Sequence, residues 1–243
     1  MNRCCELSVI DLVVEELVVV FVRWIRNEKV VNCLYPKPNA IFRLICFPWA
    51  GGGSMHFAQW GQKIQDSVEG KGGQVDALHV LMGSYVAFLT ALQLKEKYKL
   101  EPLHLFVSSA NAPHAMFLPD IPNDDEIEEV VHDFLTEVGG TPEKLINSKQ
   151  FIRECIPVTL ADVCMIKNYI VDPPSEPVLS CDLTCFFGSE DKLIKDIKAW
   201  KVVTSGTFDT HRLPGNHFYL MEPSNETFIQ NYITKCLELS SLY

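Results

Sequence analysis

The residues with the strongest claim to chemistry in this 243-residue chain are Asp191 and His217. Asp191 closes the apolar run Val178 to Phe187 and its tail Gly188-Ser189-Glu190, and His217 follows in the loop Leu213-Pro214-Gly215-Asn216-His217, ahead of a closing helix. Sites in open α/β sheets form at the carboxyl ends of strands, so both positions suit catalytic groups. A histidine whose ring is held by a carboxylate takes a proton from a nucleophile and returns it to the leaving group. Alone, a strand-end Asp is more often a turn residue and a loop His more often merely exposed. Their order and spacing together carry the catalytic reading.

Several elements must position this pair. Ile41 to Phe47 is a short apolar run that stops at Pro48 and opens into Trp49-Ala50-Gly51-Gly52-Gly53, the pattern of a buried strand feeding a glycine-rich loop. Ala87, Ala91, Leu94 and Tyr98 recur at helical spacing, and Leu103 to Val107 then reads as a buried strand. Strand, helix, strand order predicts an α/β fold with a mostly parallel sheet flanked by helices. Between Asn123 and Glu154, Ile127, Val130, Val131, Phe134, Leu135 and Val138 fall on one helical face. Gly139-Gly140 ends that helix and Thr141-Pro142 starts the next, so a helical lid is expected here, although ordinary core-facing helices fit the periodicity equally well. A third helical stretch lies around Val163 to Tyr169, and the final helix turns Phe228, Ile229, Tyr232, Ile233, Cys236 and Leu237 inward.

Bulk properties narrow the function classes. With 47% hydrophobic residues the chain can bury one substantial core, and a net charge of -10 argues against nucleic acid, whose binding needs clustered Lys and Arg. The nine cysteines show no metal-type spacing and read as reduced thiols of a cytosolic protein. No metal or cofactor is expected. Val9 to Ile25 is apolar but interrupted by Asp11, Glu15 and Glu16, which predicts an amphipathic helix lying on the domain and not a membrane span.

Motifs in order make a resemblance specific. Asn32 to Tyr35, Leu44-Ile45-Cys46-Phe47-Pro48-Trp49-Ala50-Gly51-Gly52-Gly53-Ser54, Met82 to Phe88, much of Val178 to Asp191, and Leu213 to Leu220 together resemble the type II, medium-chain S-acyl fatty acid synthase thioesterases (oleoyl-ACP hydrolases), members of the α/β-hydrolase thioesterases. The match covers most of the chain from Asn32 onward, so 1–31 is read as an N-terminal extension and 32–243 as a thioesterase domain with a lid at about 111–172. The resemblance implies that His217 is the general base and Asp191 its orienting carboxylate. It also implies oxyanion-hole donors in the backbone of Trp49, Ala50 and Met82, which would stabilise the charge that builds on an attacked acyl carbonyl. Ile127, Val131 and Phe134 would line the acyl pocket under the lid. The implied substrate is a medium- or long-chain acyl thioester, and the implied partner is the acyl carrier protein domain of fatty acid synthase.

Two departures stand out. The family nucleophile sits at the centre of a Gly-x-Ser-x-Gly elbow, but the corresponding window here is His79-Val80-Leu81-Met82-Gly83. Leu81 occupies the serine position and has no nucleophilic atom. Ser84, three residues on, would lie about a turn down the helix and is a poor substitute. The interval from Gly53 to His79 also looks too short for a helix, a strand and a crossover, so the fold is expected to lack one strand-helix unit before the elbow, with Glu69-Gly70-Lys71-Gly72-Gly73-Gln74 as the joining loop. Three readings follow: an impaired hydrolase, an inactive relative that binds an acyl chain or carrier protein, and a truncated splice or gene-model variant.

Overall fold

The computed structural model describes residues 31–32, 42–46, 55–63, 68–73, 83–116, 126–167 and 172–240. The amphipathic helix expected over Val9 to Ile25 lies outside them. Two three-stranded sheets are present among the described residues, β1-β3-β2 and β4-β5-β6. In the first, β2 (Phe42–Cys46) runs parallel to β3 (Val68–Gly73), which pairs antiparallel with β1 (Val31–Asn32). In the second, β4 (His104–Ser108), β5 (Asp182–Gly188) and β6 (Phe208–Leu213) are all parallel.

Strands β4 and β5 read as buried on both faces because helices cover both. Along β4, Leu105 and Val107 join one core with Ala87, Phe88, Ala91 and Leu94 of α3 (Gly83–Tyr98), the helix expected from its spacing. Phe106 points the other way and joins Phe186, Ile229, Ile233 and Leu237, the last three from the closing helix, which is α7 (Pro223–Ser240). That two-residue alternation sorts the buried side chains of β4 to one layer or the other. A cavity of about 70 Å³ lies between the layers, lined by Leu44 and Cys46 of β2, Phe106 and Ser108 of β4, and Ile229 and Ile233 of α7 among others.

Several expectations need correction. Glu69 to Gly73, expected as a joining loop, is most of strand β3, because two single-turn helices, α1 (Met55–Ala58) and α2 (Trp60–Lys63), suffice to return the chain beside β2. Strand β5 begins at Asp182 and not at Val178; Leu179 makes only an isolated bridge to Thr204. Strand β6 was not apparent in the sequence, since its Phe-Asp-Thr-His-Arg-Leu lies at the sheet edge and is only partly buried. Val130 and Phe228, assigned to inner helical faces, are exposed. No helix among the described residues is long and apolar enough to cross a membrane.

The helices expected as a lid form their own small core. They are α4 (Ile127–Val138), α5 (Glu143–Ile146) and α6 (Lys149–Lys167), and Ile127, Val131 and Ile152 are its buried centre. Helix α6 runs through Pro157, so it is one element where the periodicity suggested only its end. Gly139, at φ 75°, caps α4 with its N–H on the Leu135 carbonyl.

A buried polar contact links β4 to β5. His104 Nε2 lies 2.8 Å from Thr184 Oγ1 and its ring stacks on Phe106, and burial pushes its pKa down to about 4. A histidine whose folded pKa is depressed contributes stability that is full above its unfolded value and is lost as pH falls toward the folded one. We expect melting temperature to fall between about pH 6.5 and pH 4, with a loss on the order of 3 kcal/mol from this group. His56, also lowered by burial, titrates in the same direction. A pH series of thermal melts on the parent and on His104→Leu checks the assignment: the variant should show a shallower slope in that window.

Candidate functional site

The site is built where the carboxyl ends of β5 and β6 approach each other. Gly188 ends β5, and the loop after β6 crosses it so closely that a Cβ there would lie 2.1 Å from the Asn216 carbonyl oxygen and 2.5 Å from that of Gly215. Two backbone bonds lock the crossing, Ser189 N–H to the Leu213 carbonyl at 2.7 Å and Glu190 N–H to the Gly215 carbonyl at 2.8 Å. Gly215 adopts φ 117°, a conformation open to glycine, and Asn216 Oδ1 accepts from the Phe218 N–H to close a tight turn around His217.

These turns bring the two sequence candidates together. His217 Nδ1 lies 2.9 Å from Asp191 Oδ2, with the carboxylate fully enclosed and the imidazole 9% exposed. The second oxygen of Asp191 accepts from the Leu193 N–H at 3.0 Å. Burial by itself pushes the Asp191 carboxyl up, but the His217 hydrogen bond and charge, the Ser109 hydroxyl and the Leu193 N–H together hold it below its ordinary value. The carboxylate therefore stays ionised, orients the ring and favours a proton on Nδ1. That leaves Nε2 as the basic atom, the arrangement a general base requires.

Ser84 lies elsewhere in function. Its Oγ accepts from the Ser108 N–H at 3.0 Å and donates to the Ser108 carbonyl at 3.1 Å, so the hydroxyl satisfies the end of β4. Ile127 and Val131 sit in the core of the helical unit, and Phe134 is half-buried on α4. Leu81, His79, Trp49, Ala50 and Met82 lie outside the described residues. Buried thiols offer no replacement nucleophile among the described residues: desolvation pushes Cys46 and Cys185 far up and Cys181 to about 12, so each stays protonated.

Sequence reasoning missed the residues that hold the loops. Asn111 donates to the Leu193 carbonyl at 2.8 Å and accepts from the Lys195 N–H, bracing the Asp191 turn. Asn225, buried in the first turn of α7, donates to the carbonyls of Pro214 and Tyr219 at 2.8 Å each, one on either side of His217. Neither stands in a motif; only their placement next to turns hinted at a role. We expect Asn225→Leu to cost about 1–3 kcal/mol, because it removes a donor from the Pro214 carbonyl and leaves the Tyr219 carbonyl with the Glu222 N–H alone, and to loosen the His217 turn. Chemical denaturation together with hydrogen exchange at Phe218 and Tyr219 checks both effects.

The helical unit touches the same turn. A Cβ at Gly140 would meet the Phe218 ring at 2.4 Å, and one at Gly139 would meet Asn216 Nδ2 at 3.3 Å. The end of α4 is thereby seated against the residues on either side of His217.

Comparison with known proteins agrees with this geometry. Residues 81–236 match the Thioesterase domain family. The medium-chain S-acyl fatty acid synthase thioesterase of Rattus norvegicus is 50% identical over 253 residues, covering 89% of this chain and 96% of that protein, and the Homo sapiens protein of the same name is 46% identical, covering 89% and 95%. The crystal structure of human thioesterase 2 is 45% identical and superposes with a TM-score of 0.65, covering 82% of this chain and 97% of that one. With a parallel sheet covered by helices and an Asp-His pair at its carboxyl edge, this chain belongs to the thioesterase family.

Proposed function

We propose that this chain is an acyl-thioester hydrolase of fatty acid biosynthesis, of the kind that releases medium- and long-chain acids from the acyl carrier protein of fatty acid synthase, with hydrolysis impaired at the nucleophile. The observation that carries the reading is the enclosed His217–Asp191 hydrogen bond at 2.9 Å. In the proposed reaction His217 Nε2 removes the proton from the attacking group and returns it to the departing thiolate, while Asp191 stabilises the imidazolium. Backbone N–H groups of Trp49, Ala50 and Met82 would take up the carbonyl charge. The α4–α6 unit, within a lid at about 111–172, would cover the acyl chain, with Ile127, Val131 and Phe134 on its apolar side. The domain occupies 32–243 behind an extension at 1–31, and we place the protein in the cytosol.

Impairment rests on Leu81 and on length. Only nine residues separate β3 from α3, whereas a parallel strand with its crossover needs a dozen or more. An alignment that spans 253 residues while using 89% of a 243-residue chain also contains long gaps on this side. The unit expected to be short is therefore the one after β3, where the elbow strand belongs. The same observations favour a second reading, an acyl-chain or carrier-protein binder that does not turn over, and they fit a shortened splice or gene-model variant equally.

The test is thiol release from decanoyl-CoA by the folded parent and by His217→Ala. Turnover by the parent that disappears in His217→Ala supports hydrolysis with water or another group as nucleophile. Saturable acyl binding without thiol release supports the binder, and neither activity would leave the shortened variant as the remaining account.

A further inference from the structure

The turn after β4 contains a strained serine that the mechanism has not used. Ser109 adopts φ 44°, a left-handed conformation that normally falls to glycine. Every neighbour around it is tied down. The N–H and carbonyl of Ser108 are held by Ser84 Oγ, and the Ser108 hydroxyl is 2.7 Å from the Tyr219 hydroxyl. Ser109 N–H donates to the Phe186 carbonyl at 2.9 Å, and the Ala110 carbonyl accepts from the indole of fully buried Trp200 at 2.8 Å. Asn111 is held by the Asp191 turn itself. Backbone strain persists where its surroundings over-determine it, and such strain concentrates at functional sites.

Glycine would relieve the strain, yet the position carries a hydroxyl, and that hydroxyl is buried. Ser109 is 8% exposed and its Oγ has no partner in full hydrogen-bond geometry. The acceptor beside it is the Asp191 carboxylate, close enough for the hydroxyl to favour the ionised form. The two already assigned donors to that carboxylate, His217 Nδ1 and Leu193 N–H, use one oxygen each. A carboxylate accommodates further donors on its remaining lone pairs.

We propose that Ser109 is a positioning residue for the base: its hydroxyl donates to Asp191 and holds the carboxylate against His217 Nδ1. Its influence falls on Asp191, the carboxylate that holds Nδ1, which makes it a support for the base and not a replacement nucleophile. The inference rests on the proposed roles of His217 and Asp191, but its test does not require turnover.

The measurement is proton NMR of the full chain, following the His217 Nδ1–H signal that a ring donating to a buried carboxylate shows far downfield and in slow exchange with water. Asp191→Asn identifies the signal. Ser109→Gly removes the hydroxyl while relieving the backbone, so it should melt at or above the parent temperature and still lose the downfield signal or exchange it at least tenfold faster. Ser109→Ala should show the same loss. Persistence of the signal in Ser109→Gly overturns the proposal, as does its absence from the parent; loss in Ser109→Ala alone would assign the effect to the backbone and overturn it as well. A failure of hydrolysis in the thiol assay leaves this readout unaffected, so the two ideas fall separately.

Discussion

Leu81→Ser should raise thiol release from decanoyl-CoA by at least about a thousandfold over the parent, because loss of a catalytic serine in a Ser-His-Asp system costs on the order of a millionfold in kcat. The gain should depend on the existing base, so Leu81→Ser combined with His217→Ala should return to the parent rate. The physical basis is that His217, already held by Asp191 at 2.9 Å, would gain a hydroxyl to deprotonate. A leucine side chain supplies no nucleophilic atom. Absence of any gain in a folded Leu81→Ser protein would mean that residue 81 stands out of reach of His217, the consequence expected if the nine residues after β3 cannot form the elbow.

Gly188→Ala should be the most damaging single methyl group in the site. The added carbon would fall 2.1 Å from one backbone oxygen and 2.5 Å from another, and both belong to the turn that carries His217. Backbone atoms fixed by the Ser189 and Glu190 hydrogen bonds cannot move aside as a flexible side chain would. The turn must lift, breaking those bonds and separating His217 from Asp191. We expect a loss of about 3 kcal/mol or more, read as a drop in melting temperature of roughly 6–12 °C for a domain of this size. In the Leu81→Ser background the remaining turnover should fall at least about a hundredfold, since small displacements of a catalytic group carry penalties of that order. A Gly188→Ala protein that melts and turns over like its parent would show that the close crossing of the two loops is unimportant.

Much of the architecture was legible in local pattern. The apolar runs ending at Phe47, Val107 and Phe187 contain strands because buried parallel strands need apolar side chains on both faces, and α3 and α7 follow from their spacing. Asp191 and His217 could be paired because each follows a strand end, where α/β sheets place their sites. That Leu81 cannot itself be a nucleophile follows from residue type alone, since no fold gives an alkyl side chain a lone pair.

What lay beyond the sequence depended on neighbours distant along the chain. Strand β3 carries three glycines and two charges in six residues and looks like a loop; hydrogen bonding to β1 and β2 on either side makes it a strand. Strand β6 is defined by pairing with β5 and by little burial of its own. Ser84, a hydroxyl near the elbow by position, became a brace for β4 because Ser108 offered both a donor and an acceptor 24 residues away. The loop-holding roles of Asn225 and Asn111, the close approach that requires Gly188, and the strained Ser109 beside Asp191 all arise where separate turns converge. By itself, then, the sequence determined most of the apolar strands and long helices and marked two residues as candidates to move a proton, because period and residue type are local properties. Only the tertiary structure decided how the base is held, because a buried polar group is defined by the partners that surround it.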